Sequence, residues 1–309
     1  MPSQVRETPG QLISHSACKI LARIDENATL SNSKREGSIP CFHRDEIVLD
    51  ELIGEGGFNS VFSVHEFCLN STNHKKYSGA QQMFRKKVSK KPENYAIKFL
   101  SDQFEEESEG YANGSLDLVV EAKILANLRY QNIIRLHGIS TEGVHGLRTR
   151  VEGNFFLVLD KLACTLRELQ QSWIRTWSTI PLHRLQIAIQ IAEGLCYLRR
   201  KKVLHRDIKP ENVGFTREGK PVLYDFGLSK ILPNHVDEFK LTAMTGTLRY
   251  MSPECAMHKN YGMASDVYSF TLMLWEMMSL EVPFRTMTRT QILSRLGKGG
   301  IQLNPKSYW

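Results

Sequence analysis

The sequence predicts an α+β fold in two lobes, with an N-terminal antiparallel sheet plus one helix and a C-terminal lobe that is mainly helical. Short β-branched and aromatic runs, separated by glycine and polar residues, dominate the chain between residues 47 and 160. Helical periodicity appears once among these runs, at residues 118–128, and it dominates after Pro181. A chain of 309 residues, of which 41% are hydrophobic and 24% charged, can bury the cores of two modest lobes.

The strand signals come first along the chain. Residues 47–53 and 61–64 are joined by a glycine-rich turn, which predicts a β-hairpin. Two further strands are predicted at residues 95–100 and 155–160. The first lobe is therefore predicted to be a small sheet.

Longer helices follow in the second part of the chain. Apolar residues recur with helical spacing at residues 182–198 and 266–280. This order of elements divides the chain into an N-terminal lobe at residues 46–160 and a C-terminal lobe at residues 161–309.

Three segments fall outside this pattern. Residues 1–45 lack a sustained period and predict a flexible leader, in which residues 13–24 could form a short helix. Residues 70–92 form a polar, basic insertion between strands, and residues 101–115 form an acidic insertion.

The formal net charge of +7 comes from one segment. Residues 75–91 contain no acidic residue, and their basic residues are Lys75, Lys76, Arg85, Lys86, Lys87, Lys90 and Lys91. Removing these seven from the 40 basic residues leaves 33, which equals the 33 acidic residues. This balance argues against a dedicated nucleic-acid-binding face.

The favoured interpretation of residues 75–91 is a solvated, disordered loop, because like charges repel and keep a segment extended. Three alternatives are a nuclear-import signal around residues 85–91, a docking site for an acidic partner, and a contact with the acidic residues 102–109.

The apolar pattern argues against secretion and against a membrane span. Residues 1–30 lack the uninterrupted apolar stretch of a signal peptide. The longest apolar run, residues 270–280, is broken by Glu276 and is shorter than the roughly 20 residues that cross a bilayer. Six scattered cysteines without a CxxC pair predict reduced thiols, and hence a cytoplasmic location with the nucleus as the alternative.

Two features of the first lobe suggest a site for phosphate. Gly54, Gly56 and Gly57 lie in the hairpin turn, where glycine lets backbone N–H groups approach phosphate oxygens. Lys98 lies in an otherwise apolar strand, where its ammonium is costly to bury without an anion. Glu121, on the following helix, is the predicted partner of Lys98.

Two polar segments of the second lobe contain charged and amide side chains of the kinds that are typical of active sites. Residues 205–212, HRDIKPEN, place an acid, two cations and an amide between apolar runs. Residues 225–227, DFG, place a carboxylate before a glycine. Asn212 and Asp225 offer the hard oxygen ligands that Mg²⁺ prefers.

Taken in this order, these segments resemble the motifs of the protein kinase superfamily. The resemblance covers about residues 50–309, and it includes a segment at residues 246–254 that is similar to the family's substrate-docking segment. It implies a bilobal kinase fold, ATP with Mg²⁺ or Mn²⁺ as cofactors, and protein substrates as partners.

The resemblance also implies residue roles. Asp207 would accept the proton of the substrate hydroxyl, and Lys209 would stabilise the transferred phosphoryl group. Asn212, counted with these catalytic residues, would hold metal together with Asp225. The positions implied to contact ATP are Ile53, Gly54, Gly56, Gly57, Val61, Ala96, Lys98, Glu121 and Leu162.

The hydroxyl specificity follows from two segments. Residues 209–212 and 246–251 resemble the serine/threonine type, and residues 248–254 and 266–283 resemble the tyrosine-kinase-like branch of serine/threonine kinases. The alternative function is a pseudokinase or scaffold that binds nucleotide or partners without efficient catalysis.

Two positions depart from the family pattern. Asn59 occupies the third glycine position of the loop, and asparagine tolerates left-handed backbone better than most residues. Gly214 stands where the family has a larger apolar residue beneath the adenine ring, which leaves space that Leu162 could fill.

Arg206 stands directly before Asp207, an arrangement that in the family goes with activation by phosphorylation of the segment after Asp225. Thr242 and Thr245 are the predicted acceptors, because a phosphate would supply the anion that Arg206 needs. The family's lobe normally continues further and supplies an arginine that pairs with the equivalent of Glu254. The resemblance therefore predicts an incomplete C-terminal lobe with Glu254 as an unpaired, partly buried charge.

Overall fold

The computed structural model describes residues 39–70, 77–101, 109–143, 155–176, 181–233 and 238–297, together with helical positions at residues 13, 15–19 and 21. Contacts divide the chain into two units, formed by Met1–Arg129 with Ile134–Lys161 and by Tyr130–Ile133 with Leu162–Trp309. The first unit holds a six-stranded sheet and the second is mainly helical, so the predicted α+β fold is confirmed.

The strands of the first unit are β1 (Cys41–Phe42), β2 (Ile47–Glu55), β3 (Asn59–Phe67), β4 (Tyr95–Leu100), β5 (Leu136–Ser140) and β6 (Phe156–Asp160). Their order is β1-β5-β6-β4-β3-β2, and every pairing is antiparallel except the parallel pair β1 and β5. The predicted hairpin and the two further predicted strands are confirmed as β2, β3, β4 and β6. Sequence patterns do not predict β1, which is too short to show a period, or β5, which contains glycine and histidine.

Alternation along β4 determines which side chains reach the core of the first unit. Ile97 and Phe99 pack with Phe156 and Val158 in one buried cluster. Because successive side chains of a strand point to opposite faces, Lys98 lies on the other face of the sheet.

The helix of the first unit, predicted at residues 118–128, begins earlier than predicted. The basic insertion contributes another helix, α1 (Gly79–Ser89), and the predicted helix is α2 (Glu109–Asn127). The first residues of α2 therefore belong to the predicted acidic insertion, of which residues 102–108 lie outside the described part of the chain. Gly114 permits the close packing of α2, because a Cβ there would lie 2.6 Å from Phe58 Cβ and 2.7 Å from Leu100 Cδ1.

The interpretation of residues 75–91 as a disordered loop is wrong for α1. Ser78 caps the helix, since its hydroxyl accepts the N–H of Gln81, and the Gln81 side chain in turn accepts the Ser78 N–H. Val88 is buried in the sheet core. Packing of α1 against the sheet therefore outweighs the repulsion between its cations.

Arg85 fixes α1 to the rest of the unit. Its side chain is completely buried and forms an ion pair with Glu46, with 2.6 Å between Nη2 and Oε1. The guanidinium also donates to the carbonyl of Cys41 and lies over the rings of Phe42 and Tyr77, at 4.9 and 4.4 Å from their centroids. One basic residue of the charged segment is thus an internal structural element.

The same contacts correct the end of the predicted leader. Residues 41–42 form β1, and Arg44–Glu46 forms a 3-10 turn whose Glu46 is buried. The sheet therefore begins before residue 46. The short helix predicted at residues 13–24 is confirmed at the described positions between 13 and 21.

The described helices of the second unit are α3 (Leu166–Thr176), α4 (Pro181–Arg200), α5 (Pro253–Ala256), α6 (Met263–Ser279) and α7 (Arg289–Gly297). Its short strands are β7 (Cys164–Thr165), β8 (Val203–Leu204), β9 (Val213–Phe215), β10 (Pro221–Leu223), β11 (Lys230–Ile231), β12 (Glu238–Phe239) and β13 (Tyr261–Gly262). The helices predicted at residues 182–198 and 266–280 are confirmed as α4 and α6. The strands β9 and β10 form a hairpin, and β8 pairs with β11.

The structure also bears on disulfide bonds, membrane-spanning helices and clusters of metal ligands. All six cysteines are free thiols. Within the described ranges, no helix has both the length and the apolar character needed to cross a bilayer. The same ranges contain no group of three or more His, Cys, Asp or Glu side chains arranged to hold a metal ion.

Replacement of Arg85 by alanine is expected to destabilise the first unit by about 3–5 kcal/mol, because it leaves the Glu46 carboxylate buried without its cation. Chemical denaturation followed by circular dichroism measures the change. Lys86→Ala, at the exposed neighbouring position of α1, is the matched control and is expected to stay within about 0.5 kcal/mol of the wild type. Equal stabilities of the two variants would contradict a structural role for Arg85.

Candidate active site

Lys98 and Glu121 form the predicted pair in the first unit. Lys98 Nζ, on β4, lies 2.6 Å from Glu121 Oε2, on α2. The exposed fractions of the two side chains are only 9% and 1%, so each charge has lost most of its water and is compensated by the other. The predicted pairing is confirmed, and it places a cation on the sheet face opposite the core.

The glycine-rich turn lies between β2 and β3 in the same unit. Gly56 N–H donates to the carbonyl of Asn59 at 2.8 Å, and none of the three glycines has a positive φ. A Cβ at Gly57 would meet no atom within 4 Å, and at Gly54 or Gly56 it would make only ordinary contacts. Neither strain nor packing within the described residues requires glycine here, and the lack of side chains at these positions leaves the backbone of the turn accessible.

Asn59 adopts an extended conformation at the first position of β3. Its tolerance of left-handed backbone is therefore not used. Its side-chain oxygen is buried and has no hydrogen-bond partner among the described residues. The substitution for glycine thus leaves the turn intact and adds one buried acceptor.

The apolar positions predicted to contact the adenine ring lie in both units. Ile53 and Val61 are on β2 and β3, and Ala96 is buried on β4. In the second unit, a Cβ on Gly214 would overlap the side chain of Leu162. The space left by Gly214 is therefore filled by Leu162, as predicted.

The carboxylate of Asp207 is held by donors on both of its oxygens. Oδ2 accepts from Lys209 Nζ at 2.7 Å and from Asn212 Nδ2 at 2.9 Å, and Oδ1 accepts from Thr247 N–H at 2.8 Å. Lys209 Nζ also donates to Thr247 Oγ1 at 2.9 Å. The structure therefore brings Asp207, Lys209 and Asn212 together, with Thr247 as the fourth member.

Asp266, on α6, positions the segment that carries Asp207. Its two carboxylate oxygens accept the N–H groups of His205 and Arg206 at 2.7 and 2.9 Å. Burial raises the pKa of Asp266, and these donors and the neighbouring cations oppose that shift. His205 also packs against Phe226, with 4.8 Å between the ring centroids.

The hairpin of β9 and β10 determines where Asn212 and Asp225 lie. Val213 is opposite Leu223 in the register, and Tyr224 N–H donates to the carbonyl of Asn212 at 3.1 Å. Asn212 is therefore paired with Tyr224 at the end of the two strands, and Asp225 is the next residue along the chain. An amide and a carboxylate at one end of a hairpin form a donor set that fits a hard divalent cation.

Sequence reasoning missed a network around Arg167, on α3. Arg167 Nε lies 2.7 Å from Glu211 Oε1, and the same guanidinium also pairs with Glu276, on α6. Tyr250 donates to Glu276 at 2.5 Å and accepts from Arg167 at 2.9 Å, and burial raises the pKa of the Tyr250 hydroxyl. The partners are far apart in sequence, so no local pattern indicates them.

This network borders a cavity of about 410 Å³ whose lining includes Thr247 and Glu211. Arg167 pairs with both Glu211 and Glu276, so one guanidinium is shared between the two carboxylates beside the cavity. The ion pairs and hydrogen bonds of this network therefore help to hold the segment next to Asp207 in place.

Arg206 contacts the segment that contains the predicted phosphorylation sites. Its Nη2 donates to Thr245 Oγ1 at 2.6 Å and to the carbonyl of Thr242 at 3.0 Å. Tyr261 donates to the same Thr242 carbonyl at 2.6 Å, and burial raises the pKa of Tyr261 to about 12. Arg206 thus contacts the hydroxyl of Thr245 and the backbone carbonyl of Thr242.

Glu254 is half-buried and forms no ion pair with any lysine or arginine that the structure describes. Its charge contributes, after burial, to the raised pKa of Tyr268. The expectation of an unpaired charge stays a prediction.

Comparison with known proteins gives the class of this chain. The family model of the protein kinase domain matches residues 47–303. The chain belongs to the protein kinase domain family.

Several curated proteins share this similarity. Fibroblast growth factor receptor 2 of Dugesia japonica is 28% identical over 254 residues, covering 79% of this chain and 26% of the receptor. Cold-responsive protein kinase 1 of Arabidopsis thaliana is 28% identical over 243 residues, covering 76% of this chain and 52% of that protein. Serine/threonine-protein kinase VIK of Arabidopsis thaliana is 34% identical over 170 residues, covering 53% and 36%. The chain thus spans between about a quarter and a half of these relatives.

Gly246→Ala is expected to disrupt the contact between Thr247 and Asp207. Gly246 has a φ of 93°, and a Cβ there would overlap the carbonyl oxygen of Arg206. We expect a loss of roughly 1–3 kcal/mol in stability beyond the cost of φ strain alone, because backbone atoms must move. Thermal unfolding of the variant measures this loss.

The matched control is Gly219→Ala, because Gly219 has a φ of 78° in an exposed turn where a Cβ would meet nothing within 4 Å. Its cost is expected to be the strain of about 1–2 kcal/mol. If both variants lose the same stability, steric overlap at Gly246 is not a constraint.

Proposed function

We propose that this chain is an ATP- and Mg²⁺-dependent protein serine/threonine kinase. The observation that carries the proposal is the Asp207 carboxylate, both of whose oxygens accept hydrogen bonds, from Lys209, Asn212 and Thr247. Family membership supports phosphoryl transfer to protein, a reaction catalysed mainly by positioning and electrostatics.

In this mechanism Asp207 orients the attacking hydroxyl and accepts its proton. Lys209 stays hydrogen-bonded to Asp207 and Thr247, which holds its ammonium where charge develops on the transferred group. Asp266 keeps the backbone of this segment in place, so it acts as a positioning residue.

Family membership is the basis for proposing ATP and a divalent metal as cofactors. Asn212 and Asp225 would hold Mg²⁺, which when bound supplies the positive charge that neutralises phosphate oxygens. Lys98, held by Glu121, would contact the phosphates of ATP below the glycine-rich turn. Ile53, Val61, Ala96 and Leu162 would contact the adenine ring.

Serine/threonine specificity is supported by two observations. Thr247 bridges Lys209 and Asp207, which fits the predicted serine/threonine type of the two segments that contain them. One relative is named a serine/threonine-protein kinase, whereas another is a growth factor receptor. The cytoplasmic location, with the nucleus as alternative, stays a prediction.

Asp207→Asn is expected to lower the rate of phosphoryl transfer from radiolabelled ATP to a protein substrate by about 10²–10⁴-fold, because the amide cannot accept the proton. Asp45→Asn makes the same chemical change at an exposed position and is expected to leave the rate unchanged. Hydrolysis of the labelled product should yield phosphoserine and phosphothreonine. Equal rates for the two variants would favour the alternative of a scaffold, and phosphotyrosine alone would contradict the specificity.

We further propose that Thr245 is the activating phosphorylation site, with Thr242 as the alternative. The Thr245 hydroxyl already lies 2.6 Å from Arg206 Nη2, so a phosphate there would gain a charge-assisted contact. Thr245→Ala is expected to reduce activity about tenfold. Mass spectrometry of active protein that shows neither threonine modified, together with full activity of Thr242→Ala/Thr245→Ala, would exclude this regulation.

A further inference from the structure

The basic helix α1 carries charges that phosphoryl transfer does not use. The charge of Arg85 is already paired with that of Glu46 inside the protein. Lys86, Lys87 and Lys90 are exposed, and none of them forms an ion pair with a carboxylate among the described residues. The first unit therefore presents uncompensated cations on one helix.

The helix that carries these cations is anchored to the rest of the first unit. Arg85 and Val88 anchor α1 from within, and Ser78 caps its first turn. Tyr77 adds a hydrogen bond of 2.9 Å to Thr141, so the segment before the helix is tied to the residue that follows β5. A rigid surface loses little conformational entropy when a partner binds.

A cavity of about 190 Å³ lies beside these lysines, lined by α1, the C-terminal end of α2 and β5. Its apolar lining includes Phe84, Ala126 and Leu128, whereas its cationic side chains are Lys87, Arg129 and Arg135. No aspartate or glutamate lines it. We call this cavity and its cationic edge the α1–α2 groove.

The size of the α1–α2 groove limits what it can hold. It is smaller than the roughly 300–1,000 Å³ of typical small-molecule sites, so it fits one or two side chains rather than a nucleotide. Phe84 and Met83 extend the apolar surface outward, with exposed fractions of 40% and 74%. The lining is mixed, and its apolar part favours an apolar side chain as the occupant, whereas the rest of the lining is polar or cationic.

The positive charge at the edge of the groove favours acidic residues on either side of the apolar side chain that the groove would hold. Lys87 and Arg135 lie at its edge and are exposed, and their side chains form no ion pair with a carboxylate that the structure describes. The backbone N–H of Arg135 donates to Asp160 Oδ2 at 3.0 Å, so one carboxylate lies near this edge. A membrane or nucleic acid would need an extended basic face, whereas the chain outside residues 75–91 has equal numbers of basic and acidic residues.

We propose that the α1–α2 groove docks an acidic segment of a partner protein. An apolar side chain of that segment occupies the cavity, and its carboxylates lie against Lys87 and Arg135. Since the surface belongs to the first unit and contains none of the residues assigned to catalysis, the proposal stands independently of the kinase reaction.

The test uses the full chain and short fluorescein-labelled peptides with a central Leu, Phe or Trp flanked by glutamates. Matched peptides replace the central residue with alanine or the glutamates with glutamine. Fluorescence anisotropy at physiological salt is expected to show binding of the acidic, apolar peptides and a loss of about tenfold in affinity for each matched change.

Variants locate the binding. Lys87→Glu/Arg135→Glu is expected to weaken binding by at least about tenfold, whereas Lys86→Glu/Lys90→Glu, with the same charge change outside the cavity lining, changes it less than about threefold. Ala126→Phe fills the cavity and is expected to block the apolar side chain without altering charge. Circular dichroism melting curves verify that each variant is folded.

Three results would overturn the proposal. The first is equal loss in the two charge-reversed variants, which would indicate diffuse attraction. The second is that no acidic peptide binds, or that glutamine peptides bind as well as glutamate peptides. The third is tighter binding of phosphatidylserine vesicles or a single-stranded oligonucleotide that depends on Lys87 and Arg135, which would assign the groove to another class of partner.

Discussion

The buried carboxylate of Asp266 is the interaction on which the catalytic segment depends. It accepts two backbone N–H groups, from His205 and Arg206, and these donors offset part of the cost of burying its charge. Arg206 has a φ of 73°, a left-handed conformation that a residue with a Cβ keeps only where its surroundings determine it. The adjacent Asp207 is thereby presented to Lys209 in one orientation, so a distant helix sets the geometry of the reacting group.

The first unit contains two buried ion pairs. In each pair the opposite charges compensate each other, but the pairs differ in where they lie. Lys98 and Glu121 lie on the sheet face opposite the core, where the ammonium can reach a ligand. Arg85 and Glu46 are completely enclosed and join the basic insertion to the strand region before it. A buried charge needs its partner in both cases, and the side chain of Lys98 keeps an exposed fraction of 9% whereas that of Arg85 keeps none. Burial alone therefore does not distinguish a binding cation from a structural one.

The elements that sequence predicted well are those whose signal is local. The β4 strand is apolar except for Lys98, the helix α6 has apolar residues at helical spacing, and residues 205–212 form a contiguous, mainly polar segment. The helix α1 was missed because its buried positions are Arg85 and Val88, which give no apolar period, while its exposed lysines resemble a solvated loop. The network of Arg167 was missed for another reason, since its partners come from separate elements.

The sequence by itself determined the family, the order of the elements and the identity of the reactive side chains, because these depend on residue types at short spacings. Tertiary structure alone decided which charges are neutralised. Arg85 and Lys87 are two residues apart in a run of like charges, yet one is paired inside the protein and the other faces an apolar cavity. The physical reason is that the free energy of a charge depends on its distance from water and from opposite charge, and folding sets both.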